Sequence, residues 1–121
     1  MIEKIAKLYN DFQRNYGQSK EIDYQSIVLE LFAKDLQKIA NSNVLVSARS
    51  GLLDQLGNVK NIAEKWDVIE EKVIPSLDQT QVTIQYKLET VKAGNFGVIA
   101  ILTINDKMKI CRIEEVFCQL A

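Results

Sequence analysis

The sequence predicts an α+β fold in which helices of the N-terminal half pack on a mostly antiparallel sheet formed by the C-terminal half. Apolar residues recur at helical spacing as far as about residue 63, and from Thr80 onward the period changes to two. Within residues 96–104, positions 98–102 are apolar in succession, which is typical of a central strand covered on both faces. At 121 residues the chain has the length of one domain, and we assign residues 1–121 to it.

Two helices are predicted first. The first carries an apolar stripe at three- and four-residue steps and ends at Gly17. The residues of this stripe are Ile2, Ile5, Tyr9, Phe12 and Tyr16. The second runs from Asp23 to Ala33, with Asp23 as its N-cap.

A short hairpin and a third helix follow. Residues 36–40 and 44–48 alternate in polarity and are separated by an Asn-Ser-Asn turn, which predicts two paired strands. Ser50 is a suitable N-cap for the third helix, whose apolar positions repeat at helical spacing up to Ala63.

Four antiparallel strands are predicted after this helix. Residues 66–74 fit either a continued helix or a strand, and Pro75 favours the strand because it ends the segment just before further strands. The next strand begins at Thr80, and turns at residues 93–95 and 105–107 lead into strands at 96–104 and 109–119.

Several function classes are excluded or disfavoured by composition. The chain has no histidine, so nucleophile systems and metal sites that require imidazole are excluded. Fifteen basic and sixteen acidic residues give a net charge of -1, from which we expect no binding to nucleic acid or to an anionic membrane surface. No glycine-rich phosphate loop is present, and we expect neither a metal nor a cofactor.

The two cysteines indicate in which cellular compartment the protein is expected. Cys111 and Cys118 lie seven residues apart, about 23 Å on an extended strand and on opposite faces, so they cannot form a disulfide there. Two free thiols favour a reducing, cytoplasmic location. We recognise neither a signal peptide nor a membrane-spanning segment.

Three features together resemble the nuclear-transport-factor-2-like superfamily, in particular its small SnoaL-like (polyketide-cyclase-like) single-domain proteins. They are the tyrosine-bearing first helix, the Leu-Phe-Ala-Lys-Asp motif of residues 31–35, and the hairpin of residues 104–110. Lys107 stands where such hairpins usually have glycine. The resemblance covers nearly the whole chain.

The resemblance implies a cone in which three helices fill a strongly curved sheet and leave a pocket on its concave face. Many relatives are homodimers that pair through the outer face of the sheet. The sequence independently supports a covered outer face, because Ile99 and Ile101 would otherwise be exposed there. We therefore expect a homodimer.

Glu115 is the candidate for chemistry. In the last strand the alternation places it on one face with Cys111, Ile113 and Phe117. A carboxylate among apolar neighbours could shuttle a proton or donate a hydrogen bond. The simpler interpretation is an ion pair, for which Arg49 is the expected partner, and removal of Glu115 would then destabilise the fold.

Four aromatic residues complete the expected pocket wall. Tyr86 lies on the apolar face of its strand, and its buried hydroxyl requires a partner. Trp66 is placed to close one end of the cone, while Tyr9 and Tyr24 present hydroxyls from the helices. Packing in the core is the simpler interpretation of each of these residues, and a ligand contact is the alternative.

Three functions remain open. The first is a pocket protein that binds a small, largely apolar molecule. The second is an isomerase, dehydratase or cyclase that uses Glu115 with a tyrosine. The third is a protein-interaction module that uses the outer sheet face. An unpaired Glu115 facing a cavity would favour chemistry, and an Arg49–Glu115 pair in a filled core would favour a purely structural role.

Overall fold

The computed structural model describes residues 1–120, which form three α-helices and one six-stranded sheet. The helices are α1 (Glu3–Gly17), α2 (Tyr24–Leu31) and α3 (Leu52–Ala63), and a 3₁₀ turn (Arg49–Gly51) precedes α3. The strands are β1 (Phe32–Ala40), β2 (Asn43–Val46), β3 (Trp66–Pro75), β4 (Gln81–Thr90), β5 (Asn95–Ile104) and β6 (Ile110–Gln119). The predicted α+β class and the predicted order of elements are confirmed.

The sheet order is β2-β1-β6-β5-β4-β3. Every neighbouring pair is antiparallel except β1 and β6, which pair in parallel. The predicted hairpin of β1 and β2 exists, but it is one end of the main sheet and not a separate unit. Because the parallel pair joins segments far apart in the chain, no local pattern indicates it.

The second helix ends earlier than predicted. It stops at Leu31, and Phe32 is already extended with φ -113° and ψ 144°. Phe32 pairs with Ile110 of β6. Phe32 and Ala33, which the helical pattern assigned to α2, therefore belong to β1. The sequence motif of residues 31–35 therefore marks the junction of α2 and β1.

The N-cap predicted for α2 is confirmed, and the N-cap predicted for α3 is wrong. Asp23 caps α2, because its carboxylate accepts a hydrogen bond of 3.1 Å from the Ser26 amide. Ser50 does not cap α3, since it lies inside the 3₁₀ turn and Gly51 takes the N-cap position without a side-chain bond.

The core lies between the helices and one face of the sheet. Tyr9 and Phe12 of α1 pack in the same buried cluster as Ile84, Ala100 and Leu102 of the sheet. The opposite face is open in this chain: Ile99 of β5 is 46% exposed and Val116 of β6 is 57% exposed. The prediction that β5 is apolar toward both sides holds, but within one chain only one side is covered.

A bulge at the start of β6 changes which residues face inward. The register with β5 shifts between Thr103 and Ile104, so Ile110 and Ile113 are both buried although they are three residues apart. Cys111 lies at this bulge and does not share the regular alternation predicted for it. Beyond the bulge the alternation is regular, and Glu115 faces inward as predicted.

Trp66 fixes the position of α1 relative to β3. The indole is 3% exposed, and its Nε1 donates a 3.0 Å hydrogen bond to the Gln13 carbonyl oxygen. Gly17 packs so closely that an added β-carbon would lie 2.6 Å from the Trp66 carbonyl oxygen. This close approach requires glycine at the end of α1.

We predict that Gly17→Ala destabilises the fold by about 1–3 kcal/mol, because the new methyl group overlaps backbone that cannot move freely. Gly57→Ala inside α3 is the matched control. Its β-carbon would meet the nearest atom, the Tyr16 hydroxyl oxygen, at an ordinary 3.5 Å, so we expect a gain of about 0.5–1 kcal/mol from helix propensity. Urea unfolding measures both, and equal effects of the two variants would contradict the packing described here.

Candidate functional site

A cavity of about 350 Å³ lies between α3 and the inner face of the sheet. All six strands contribute to its sheet side, among them β1 with Lys38, β4 with Tyr86, β5 with Val98 and β6 with Glu115. Trp66 of β3 also lines it. The cavity therefore belongs to the sheet as a whole and not to one loop.

Most of the cavity wall is apolar. Leu56 and Val59 of α3 face Leu88 and Val98 of the sheet across it. Exposed apolar residues also contribute to the wall, namely Leu45, Ile62 and Phe117. An apolar molecule would therefore exchange water for hydrocarbon contacts over most of its surface.

Glu115 has space beside it because its neighbours on both adjacent strands are alanines. It pairs in register with Ala40 of β1 and with Ala100 of β5, and both alanines are buried. Its Oε2 atom is buried and has no hydrogen-bond partner within residues 1–120. Oε2 is thus an unsatisfied polar atom of a residue that lines the cavity.

The predicted ion pair between Arg49 and Glu115 is wrong. The Arg49 guanidinium instead donates a 3.1 Å hydrogen bond to the Phe32 carbonyl oxygen, at the junction of α2 and β1. In the described part of the chain Glu115 takes part in no ion pair. Arg49 is also not among the residues that line the cavity.

Tyr86 places a hydroxyl in the cavity wall. The side chain is 2% exposed, and its hydroxyl lies 3.5 Å from Gln13 Oε1, the long limit of a hydrogen bond. Burial raises the pKa of Tyr86 well above its usual value, and the Glu115 carboxylate raises it further. The phenol therefore stays neutral and can donate a hydrogen bond at physiological pH.

The other two predicted tyrosines lie outside the wall. Tyr9 packs edge-on against Phe32 with ring centroids 6.1 Å apart, and its buried hydroxyl has no partner in residues 1–120. Burial, Tyr86 and Glu115 together raise the pKa of Tyr9. Tyr24 packs between α1 and α2, where its hydroxyl donates to the Lys20 carbonyl oxygen. Neither is a lining residue.

Sequence reasoning missed Lys38. This lysine is 4% exposed and lines the cavity, and its Nζ donates a 2.9 Å hydrogen bond to Gln55 Oε1 on α3. The signal was present in the predicted hairpin, because alternation places Lys38 on the same face as the apolar Leu36 and Ala40. A lysine between two apolar positions on one face of a strand indicates that its ammonium group is buried.

Residues 1–120 contain neither a metal-binding cluster nor a helix suited to a membrane. No group of three cysteine or carboxylate side chains is arranged to hold a metal ion. No helix of this part of the chain is both long enough and apolar enough to cross a membrane.

The fold matches solved structures at low sequence identity. An NTF2-like protein of unknown function from Exiguobacterium sp. has a TM-score of 0.80 at 12% identity, with 96% of this chain and 99% of that chain covered. A candidate SnoaL-like polyketide cyclase from Jannaschia sp. has a TM-score of 0.75 at 11% identity, covering 95% and 85%. A candidate polyketide cyclase from Sinorhizobium meliloti has a TM-score of 0.73 at 16% identity, covering 93% of each chain.

These structures show that the chain has the NTF2-like fold. SnoaL-like proteins are among the structures that share it, as the resemblance in sequence predicted. No protein-family model and no curated protein sequence matches the chain. At identities of 9–16% the likeness defines the fold, so function must be argued from the cavity.

Proposed function

We propose that this protein binds a small, largely apolar molecule in the cavity between α3 and the sheet. The observation that carries the proposal is the cavity itself, which is about 350 Å³ in volume and mostly apolar, with a few polar groups in its wall. That combination of apolar wall and sparse polar groups is typical of small-molecule sites. Trp66, Tyr86 and Glu115 are the predicted pocket residues that contribute to its wall.

The expected affinity for a simple apolar probe follows from the surface it buries. A two-ring hydrocarbon that buries about 200 Å² of apolar surface gains about 5 kcal/mol. The loss of translational and rotational freedom opposes this gain. Because a gain of about 5 kcal/mol alone corresponds to a dissociation constant of about 0.2 mM, we expect a dissociation constant in the millimolar range once this loss is included.

Naphthalene is a suitable probe for this site. We predict that it raises the thermal unfolding temperature of the protein, and that Val59→Trp abolishes the effect because the indole fills the cavity from α3. Asn61→Trp is the matched control, since Asn61 is an exposed residue of the same helix that does not line the cavity. Equal stabilisation of both variants by naphthalene would show that it binds elsewhere.

The second candidate function is acid–base catalysis, for which one observation speaks directly. Glu115 carries a buried, unpartnered Oε2 on the wall of a cavity that also contains the neutral phenol of Tyr86. One carboxylate that takes a proton and one donor that stabilises developing negative charge are sufficient for an isomerase, dehydratase or cyclase. Two structures that share the fold are described as a candidate isomerase and a candidate cyclase.

Proton exchange tests this chemistry without knowledge of the natural substrate. We predict that the protein accelerates exchange of the methyl protons of 2-acetylnaphthalene in D₂O by about 100-fold or more, and that Glu115→Gln removes the acceleration. Glu114→Gln is the control, because Glu114 is exposed at the next position of β6. The rates are measured by proton NMR.

Glu115→Gln should also remain folded, because no cation within residues 1–120 depends on this carboxylate. An exchange rate equal to that in buffer, with the wild-type protein folded, would leave binding as the function of the cavity.

We further propose that the outer sheet face pairs with a second copy of the chain. Ile99 and Val116 are register neighbours on β5 and β6 and are largely exposed, and Ile101 lies beside them on the same face. An apolar patch across adjacent strands favours burial against a partner. A protein-interaction function of the same face is the alternative if the chain is a monomer.

The dimer has a direct test in sedimentation velocity at micromolar concentration. We predict a dimer mass for the wild type and a monomer mass for the double variant Ile99→Lys with Val116→Lys, because two buried charges would oppose association. Leu77→Lys, in the β3–β4 connection and fully exposed, should leave the dimer intact. A monomeric wild type would contradict the proposal.

A cytoplasmic location also remains our proposal. The structure leaves both thiols free, with Cys111 half-buried and Cys118 exposed. Free thiols are typical of reducing compartments, in which disulfides are rare.

A further inference from the structure

Lys38 is a feature of the cavity that a simple apolar ligand does not explain. A lysine that is 4% exposed is uncommon, because an ammonium group loses hydration when it is buried. Buried lysines are normally paired with a carboxylate, yet Lys38 forms no ion pair with any carboxylate of residues 1–120. Its one side-chain partner among the described residues is the neutral amide oxygen of Gln55.

The ammonium group of Lys38 has N–H donors that the protein does not use. It carries three N–H groups, and the bond to Gln55 uses one of them. Both side chains line the cavity, so a molecule there can accept a further hydrogen bond from Lys38 Nζ. Gln55 holds the lysine between β1 and α3 while it does so.

The charge of the whole cavity restricts which acceptor is suitable. Of the residues that line it, Lys38 and Glu115 are the charged ones, and their charges are opposite. An anionic ligand would be attracted by Lys38 but repelled by Glu115, whereas a neutral oxygen acceptor gains the first interaction without the second. The two charges therefore favour an uncharged polar group.

We propose that Lys38 selects ligands that carry a neutral carbonyl oxygen, which accepts a hydrogen bond from Lys38 Nζ while the rest of the molecule occupies the apolar part of the cavity. This inference rests on the proposed binding function of the cavity and names the chemistry of its ligand. It makes Lys38 the residue that determines specificity, and it does not require catalysis.

Two probes of matched shape separate the carbonyl from the hydrocarbon contribution. These are 2-acetylnaphthalene and 2-ethylnaphthalene, each titrated by isothermal calorimetry. We expect the wild type to bind the ketone about tenfold more tightly, the preference expected for one hydrogen bond to a charged donor. Lys38→Met should lose this preference and still bind the hydrocarbon, because methionine retains the length and apolar character of the lysine stem.

Lys87→Met is the matched control, since Lys87 is exposed and does not line the cavity. It should retain the tenfold preference. Should Lys38→Met fail to fold, Gln55→Glu provides a second test, because it keeps a partner for Lys38 and replaces the neutral acceptor with a carboxylate that competes more strongly for its N–H groups. That variant should reduce the preference for the ketone.

The outcomes separate this inference from the function on which it rests. Equal affinity of the wild type for the two probes, or an undiminished preference in Lys38→Met, would overturn the role of Lys38 and leave an apolar site. Tighter binding of 2-naphthoate than of the ketone would overturn the neutral acceptor in favour of an anion. Binding of neither probe would overturn the proposed function and this inference together.

Discussion

The contact between Gly17 and Trp66 sets the geometry on which the cavity depends. Because Gly17 has no side chain, the end of α1 approaches the start of β3 until the indole nitrogen reaches a carbonyl oxygen of α1. Lys60 of α3 lies over the rings of Tyr16 and Trp66, with Nζ at 5.1 Å and 5.6 Å from the ring centroids. These four residues join α1, α3 and β3 at one corner, and the cavity extends from Trp66 between α3 and the sheet.

The cavity interior departs from what stability alone favours. Alanines at positions 40 and 100 leave space around Glu115, although larger apolar residues there would bury more surface. Lys38 and Glu115 share the cavity without forming an ion pair, and the buried Oε2 of Glu115 has no partner within residues 1–120. Buried polar groups that remain unsatisfied cost stability, and they are found mainly where a protein binds or reacts.

Much of this architecture follows from local sequence patterns, and the exceptions have a common cause. The period of two predicts β4 because successive side chains of a strand point to opposite faces of the sheet. The same alternation places Tyr86 and Glu115 on the inner face. The parallel pairing of β1 with β6 and the bulge at Cys111 depend on segments distant in sequence. Charge alone predicts a pair of Arg49 with Glu115, but the Arg49 guanidinium donates to the Phe32 carbonyl oxygen instead. Lys38 could have been recognised from its place on an apolar strand face.

The proposed binding and catalytic functions both require an accessible, mostly apolar cavity beside Trp66, and xenon tests for this cavity most directly. Xenon occupies apolar cavities in crystals without making directed bonds. Diffraction from a crystal held under xenon pressure should show an anomalous peak among Trp66, Val98 and Phe117. Absence of a peak there, with xenon bound at other sites of the same crystal, would contradict the cavity and the functions argued from it.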